Sequence, residues 1–262
     1  MKDFIAYLKF DTLNEEEILN YCKDKIDHNE RCITVTPNLD NLRITYKNVV
    51  LRNLINNKAN ISTIDGVPVK WIAKILGKKQ FKKKISGSDL ALEVIKMAAD
   101  NNYSLLFFGG APGVGEKAKA NLLQKYPNLK IDLICPEFGH EKDPELSKKY
   151  CDLINQYNAD IIFLCTGYPK SELFFVSNEN SFKRGCYFFV GATIDFIAGS
   201  VKRAPKWMSK CGLEWLYRLF HDFRRLFKRY WLDFWFLLKI FFLCIFNRKK
   251  FDKLIKEAEE SL

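Results

Sequence analysis

The chain has 262 residues and is 48% hydrophobic, enough for one large domain or two small ones with a real core, which excludes disorder as the default. Its net charge of +11 is unevenly placed: from Lys202 onward 15 Lys/Arg stand against 7 Asp/Glu, and four of the five tryptophans (Trp207, Trp215, Trp231, Trp235) lie in the same stretch. The eight cysteines include no CxxC pair and no Cys/His grouping at zinc-ligand spacing, which argues against a structural zinc site and for a reducing cytosol.

The N-terminus, MKDFIAYLKFDTLNEEE, acquires acids too early and has too short an apolar run for a signal peptide, so export is not expected. From about residue 30 short β-type runs alternate with segments of helical period. CITVTPN (32–38) reads as a strand, DNLRITYKNVVLRNLINN (40–57) as helical, NISTIDG (60–66) as a strand and SDLALEVIKMAADNN (88–102) as a helix. YSLLFFGG (103–110), LKIDLICPEFG (129–139), DIIFLCTGYP (160–169) and CYFFVGATIDF (186–196) continue the strands. GVGEKAKANLLQKYP (113–127), DPELSKKYCDLINQY (143–157) and SELFFVSNENSF (171–182) lie between or beside them as helices. Ser88 and Asp143 are the expected N-caps. Several strands are continuously apolar, as strands covered on both faces are, and the alternation calls for crossovers. The expectation is an α/β fold: a Rossmann-like, mostly parallel sheet with helices on both faces over residues 1–201, and a basic, aromatic helical appendage over 202–262.

Ligands of such sheets sit beyond the carboxyl ends of the strands, which selects Thr36, Asn38, Asp65, the turn from Gly109 through Gly110 and Gly113 to Gly115, Thr166 to Pro169, and Gly191 to Asp195. GGAPGVGE follows a strand and opens a helix, so its amides suit a diphosphate; it is neither GxGxxG nor a P-loop, and a tight packing turn explains it equally well. Asp65 ends an apolar strand beside Gly66, and a partly desolvated carboxylate there suits a base for an attacking hydroxyl; the alternative is a cap for the next helix. Thr36 and Asn38 either bond a polyhydroxylated ligand or form the turn around Pro37. Asp195 is read as structural, paired with Lys202 or Arg203. The three histidines are isolated, so hydrolase chemistry has no support. No D-x-D is present to hold a metal-bound nucleotide, so a leaving diphosphate would need cationic side chains.

The tail supplies such cations. On one helix beginning near Leu213, Arg218, Arg225 and Arg229 share a face, while Leu213, Leu216, Phe220, Phe223, Phe227 and Tyr230 form an apolar stripe. A basic amphipathic helix on anionic lipid is the competing reading. The 16 residues WLDFWFLLKIFFLCIF (231–246) would make a helix about 24 Å long, short of a ~30 Å hydrocarbon core, and fit an interfacial segment better than a span. Nucleic-acid binding is disfavoured, since it leaves that apolar run without a purpose, and a nucleotide-dependent oxidoreductase or epimerase lacks its dinucleotide fingerprint.

TPN (36–38), DGVPVKW (65–71), SGSDL (86–90), LLFFGGAPGVGEKA (105–118), GYPKSE (167–172), VGATIDFIAGSVKRAPKWM (190–208) and GLEWLYRL (212–219) run in the order found in the WecG/TagA/CpsF glycosyltransferases, family 26, which the chain resembles. The resemblance implies an inverting, metal-independent transfer, with no cofactor, from a UDP-sugar to a polyprenyl-diphosphate-linked acceptor at the inner face of the cytoplasmic membrane. It implies Asp65 as the base, with Thr36 and Asn38 lining the same pocket. Arg218 and Arg225, with Lys228 or Arg229 as a third, would meet the nucleotide diphosphate, and the matched blocks add Gly167, Glu172 and Arg203 as substrate contacts. Homo-oligomerisation is left open. The chain departs from the family pattern at Ser171, where Gln is usual, at Ala192 and Ile194 of GATID, where GGxFD is common, and at Leu39-Asp40 after TPN.

Overall fold

The computed structural model describes residues 2–81, 83–205, 208 and 212–260, with the side chains of Arg225, Leu254, Ala258 and Glu259 outside that description. Six strands, β3 (Arg31–Val35), β4 (Ile61–Ser62), β5 (Ser104–Gly109), β6 (Lys130–Ile134), β7 (Ile161–Cys165) and β8 (Gly185–Phe189), form one sheet in the order β4-β3-β8-β7-β5-β6. Every neighbouring pair is parallel, which requires the crossovers that the alternating pattern predicts. Helices follow as α2 (Leu39–Thr45), α3 (Val49–Asn53), α4 (Val67–Ile75), α5 (Gly87–Asn101), α6 (Val114–Lys125), α7 (Pro144–Tyr157), α8 (Lys170–Ser177) and α9 (Thr193–Ala198).

Alternate side chains of the central strands enter opposite cores. Leu106, Phe108, Ile162, Leu164 and Tyr187 join one cluster, and Leu105, Phe107, Ile161, Phe163 and Phe188 the other. Both faces are therefore covered, which is why these strands read as unbroken apolar runs. Phe108 stacks on Phe174 of α8 with centroids 4.7 Å apart, fixing that helix on the sheet.

Several elements depart from the sequence expectations. Ahead of residue 30 the chain forms an antiparallel hairpin, β1 (Lys2–Ile5) and β2 (Leu8–Asp11), and a helix, α1 (Glu15–Asp27), started by a reciprocal Asn14/Glu17 capping box. The hairpin is tied to β4 where the Ser62 amide donates to Asp11 Oδ2 at 2.8 Å. Residues 40–57 are not one helix: Asn48 accepts from the Leu51 amide and starts α3 afresh, which then runs into a π-helical turn, Leu54–Lys58. Ser86, not Ser88, caps α5. CYFFVGATIDF is strand only to Phe189, and Thr193 to Ala198 wind into α9, with the Thr193 hydroxyl donating to the Val190 carbonyl.

In the tail, α10 (Glu214–His221) and α11 (Phe223–Phe246) are separate helices, because Asp222 adopts φ −145° and ψ 56° between them. Arg218 therefore lies on a different helix from Arg225 and Arg229, and the single helix expected to carry all three is not formed. The last helix, α12 (Arg248–Glu260), turns back and buries Phe251 completely. Phe236, Ile240, Leu243 and Cys244 of α11 enter the core beneath α2 and α4, so the interfacial segment expected at 231–246 has one face packed on protein. Its other face exposes Trp231, Trp235 and Phe242. Among the described residues no single helix is long and apolar enough to cross a membrane.

Candidate active site

The carboxyl ends of β3 and β4 place Thr36 and Asp65 together. Past β4 the chain stays hydrogen-bonded on both sides: Thr63 N donates to the Val35 carbonyl at 3.0 Å, Asp65 N to the Pro37 carbonyl at 3.1 Å, and Ile85 N to the Ile64 carbonyl at 2.9 Å. Asp65 is held at the rim by backbone on either hand, half-buried, and followed by Gly66 at φ +90°. It does not cap α4, whose first turn has no side-chain cap, and this removes the capping alternative. On the opposite wall the start of α5 comes so close that a Cβ at Gly87 would lie 2.7 Å from Thr36 Oγ1.

Burial is the largest influence on Asp65 and pushes its pKa up to about 6, against the attraction of Arg218 and with the repulsion of Glu214; Lys84 and Asp89 act more weakly in opposite senses. Such a carboxyl is ionised at neutral pH yet basic enough to accept a proton. Arg218 donates to Glu214 Oε1 at 2.6 Å, and its guanidinium lies 5.0 Å from the ring centroid of Phe196 on α9. The appendage also reaches the Asp65 loop directly, since a Cβ at Gly212 would lie 2.7 Å from Val67 Cγ2. Trp215 of α10 meets Tyr230 of α11 edge to face at 6.0 Å.

Other expected site residues fall around this centre in different roles. Asn38 spends its side-chain oxygen on the amides of Asp40 and Asn41, capping α2, which leaves only its amide nitrogen for a ligand. Arg203 donates to Ser88 Oγ at 3.1 Å and pairs with Asp89. Burial opposes ionisation of Asp89, but the Ser86 hydroxyl and Arg203 together hold it below the usual carboxylate range. In the glycine turn, a Cβ on Gly109 would sit 2.6 Å from the Cys165 carbonyl carbon and one on Gly110 would meet Ile194, so both serve close packing. Gly113 meets nothing there; it is the N-cap of α6, which no side chain caps, and the Val114 amide donates to the Ala111 carbonyl at 3.0 Å.

Gly167, at φ +84°, begins the turn into α8, its carbonyl accepting from the Ser171 amide. The Ser171 hydroxyl bonds back to Thr166 Oγ1 at 2.8 Å and so is turned toward its own turn. Glu172 lies beneath this turn, only 6% exposed, with Oε2 lacking a hydrogen-bond partner; burial pushes it up to about 8, so it holds its proton at neutral pH. Beside it the Tyr168 hydroxyl is likewise buried without a partner. Lys228 is exposed, whereas Arg229 pairs with Asp40 at 3.0 Å. The Arg225 side chain and, in the RAPKWM block, Lys206 and Trp207 lie outside the described residues.

Sequence reasoning missed Lys84 and Glu214 as neighbours of Asp65. Glu214 was readable as the acid four residues before Arg218 on one helix; Lys84 has no local signal. It also missed a trio of thiols. Cys22, Cys32 and Cys186 bring their sulfurs within 4.8 Å of one another, all fully buried, a donor set that suits a soft metal. They come from α1 and from directly paired positions near the amino ends of β3 and β8, the edge of the sheet opposite Asp65, and have no part in this site.

The chain matches the model of the Glycosyl transferase WecG/TagA/CpsF family over residues 4–251. It is also 29% identical over 217 residues, 80% of each chain, to N-acetylglucosaminyldiphosphoundecaprenol N-acetyl-beta-D-mannosaminyltransferase of Staphylococcus aureus strain MRSA252, and equally to that of strain MW2. The residues gathered around Asp65, drawn from the TPN, DGV, SGSDL and GLEW segments, are those over which the match runs, and the chain belongs to the WecG/TagA/CpsF family of glycosyl transferases.

Proposed function

We propose that the protein transfers an N-acetylmannosamine-like sugar from a UDP-sugar to a polyprenyl-diphosphate-linked sugar, a step in building a cell-surface polysaccharide. The observation that carries this reading is Asp65: one half-buried carboxyl, raised to about 6, at the strand ends, with an arginine of the appendage acting on it. The names of the staphylococcal relatives supply the chemical class of donor sugar and acceptor.

In the proposed reaction Asp65 accepts the proton of the acceptor hydroxyl as its oxygen attacks the anomeric carbon. The bond from that carbon to the UDP oxygen breaks on the opposite face, so the configuration inverts and the electron pair leaves with the diphosphate. Arg218 and Arg225 stabilise that charge, with no metal required, and the start of α6, which no side chain caps, offers a further anion site. Thr36, across from Asp65, positions the attacking or leaving sugar. The exposed rings of Phe223, Phe227, Trp231 and Trp235, in contact along α11, together with Arg224 and Lys228 form the surface that rests on anionic lipid at the cytoplasmic face of the membrane.

UDP release that depends on a lipid-diphosphate sugar and survives chelator is the expected result. Asp65→Asn should lower kcat by about 10²- to 10⁴-fold with little change in KM. Wild-type turnover by that variant rejects the base assignment.

A further inference from the structure

We propose that the open groove between α4 and α11 holds the hydrocarbon chain of the lipid-diphosphate acceptor. This rests on the glycosyl-transfer reading and adds the place where the acceptor's tail lies. The groove has a volume of about 440 Å³ and is lined by Trp71 and Ile75 of α4 and Phe241 of α11, with Lys74 at its rim. That is within the range of small-ligand sites, and its walls are mainly apolar.

Three observations select a prenyl chain as the occupant. The helix that forms one wall leads away from the site: α4 begins two residues after Asp65, and its nine residues extend about 13 Å. The second wall starts at the same place, since Tyr230 of α11 feels the same Arg218 and Glu214 that act on Asp65, and Phe241 lies three turns farther along. The order of chemistry along this path is cation, then apolar surface, which matches an amphiphile with a diphosphate head and a hydrocarbon tail. Trp71 and Ile75 are four residues apart and so share one face of α4, turned outward while Val69, Ile72 and Ala73 fill the core. Trp71 is 50% exposed, a large ring half in water.

The test compares wild-type protein with Trp71→Ala and Ile75→Ser, both at exposed positions that the fold tolerates. The acceptors are two synthetic N-acetylglucosaminyl diphosphates, one with a long prenyl chain in detergent and one with a short, water-soluble alkyl chain. The expected result is a KM raised about tenfold for the long-chain acceptor, with kcat unchanged and the short-chain KM unaltered. Equal effects on both acceptors, no effect on the long one, or a parallel loss of binding to anionic vesicles overturns the proposal, the last because it makes these residues anchors in the bilayer. Binding of a fluorescent long-chain prenyl diphosphate, which carries no sugar, reads the groove without turnover: about tenfold weaker binding by Trp71→Ala supports it, and equal binding rejects it. Absence of transfer by the wild-type protein, with prenyl diphosphate still bound through Trp71, would reject the glycosyl-transfer reading and leave the groove standing.

Discussion

Asp65 is acted on by two opposite charges from one short helix, Arg218 favouring its ionised form and Glu214 opposing it. Removing each shifts the base in a known direction. Arg218→Ala raises the Asp65 pKa above about 6 and moves the acid limb of the kcat/KM profile to higher pH, whereas Glu214→Gln moves it lower; profiles between pH 5 and 8 measure both. Identical limbs in the two variants would mean that α10 does not tune the base. Glu172 behaves differently because nothing but burial dominates it. Its folded pKa, about 8, lies above that of the unfolded chain, so the native state holds a proton that the unfolded state has released. The contribution is full below the ordinary Glu pKa and is lost as pH rises toward 8. Melting temperature should therefore fall more steeply between pH 5 and 8 in the wild type than in Glu172→Gln. At this scale Asp65 and Thr36 were legible, because strand ends are visible as the close of an apolar run. Lys84 was not, since it reaches the site through a loop, nor were Cys22, Cys32 and Cys186, whose proximity depends on strand pairing.

The helical elements of the appendage hold to the core by charge as well as by apolar contact. Asp233 of α11 accepts from Arg43 Nε at 2.7 Å, Arg43 also pairs with Asp40, and Arg229 joins from α11. Burial pushes Asp233 up to about 6, while Arg43 works against that shift. Asp233→Ala leaves the arginines facing one carboxylate instead of two and should destabilise the docked tail by on the order of 3 kcal/mol, read as earlier proteolysis between α10 and α12. Unchanged protease resistance would assign the docking to Phe236, Ile240 and Leu243 alone. The helical period of 213–230 was correct as far as it went, but the turn at Asp222 redirects the chain, and a pattern of arginines counted through a break carries no common face. Polar residues at single positions, Asn48 and Asp222, decide where helices stop, and neither interrupts the apolar period enough to be seen.

Across the whole molecule, the division of apolar strands between two cores was readable because continuous burial leaves a continuous apolar run. The order of strands was not, since β4 to β5 passes beyond β3, β8 and β7, and nothing local to either strand records that crossing. The N-terminal hairpin escaped for a similar reason: it is a satellite closed on the edge strand β4 through Asp11, and its residues alternate too briefly to be distinguished from the run of acids that follows.

The contact of Gly212 with Val67 ties the two parts of the chain together. A side chain at 212 would meet Val67 Cγ2 at 2.7 Å, and the backbone there, at φ +76°, strains any residue but glycine even where space is made. The loop that carries Asp65 and the first turn of the appendage thus meet at a position that glycine alone fills without strain. A chimera with a new tail must therefore keep glycine at 212, since a smaller residue at 67 does not relieve the backbone strain there.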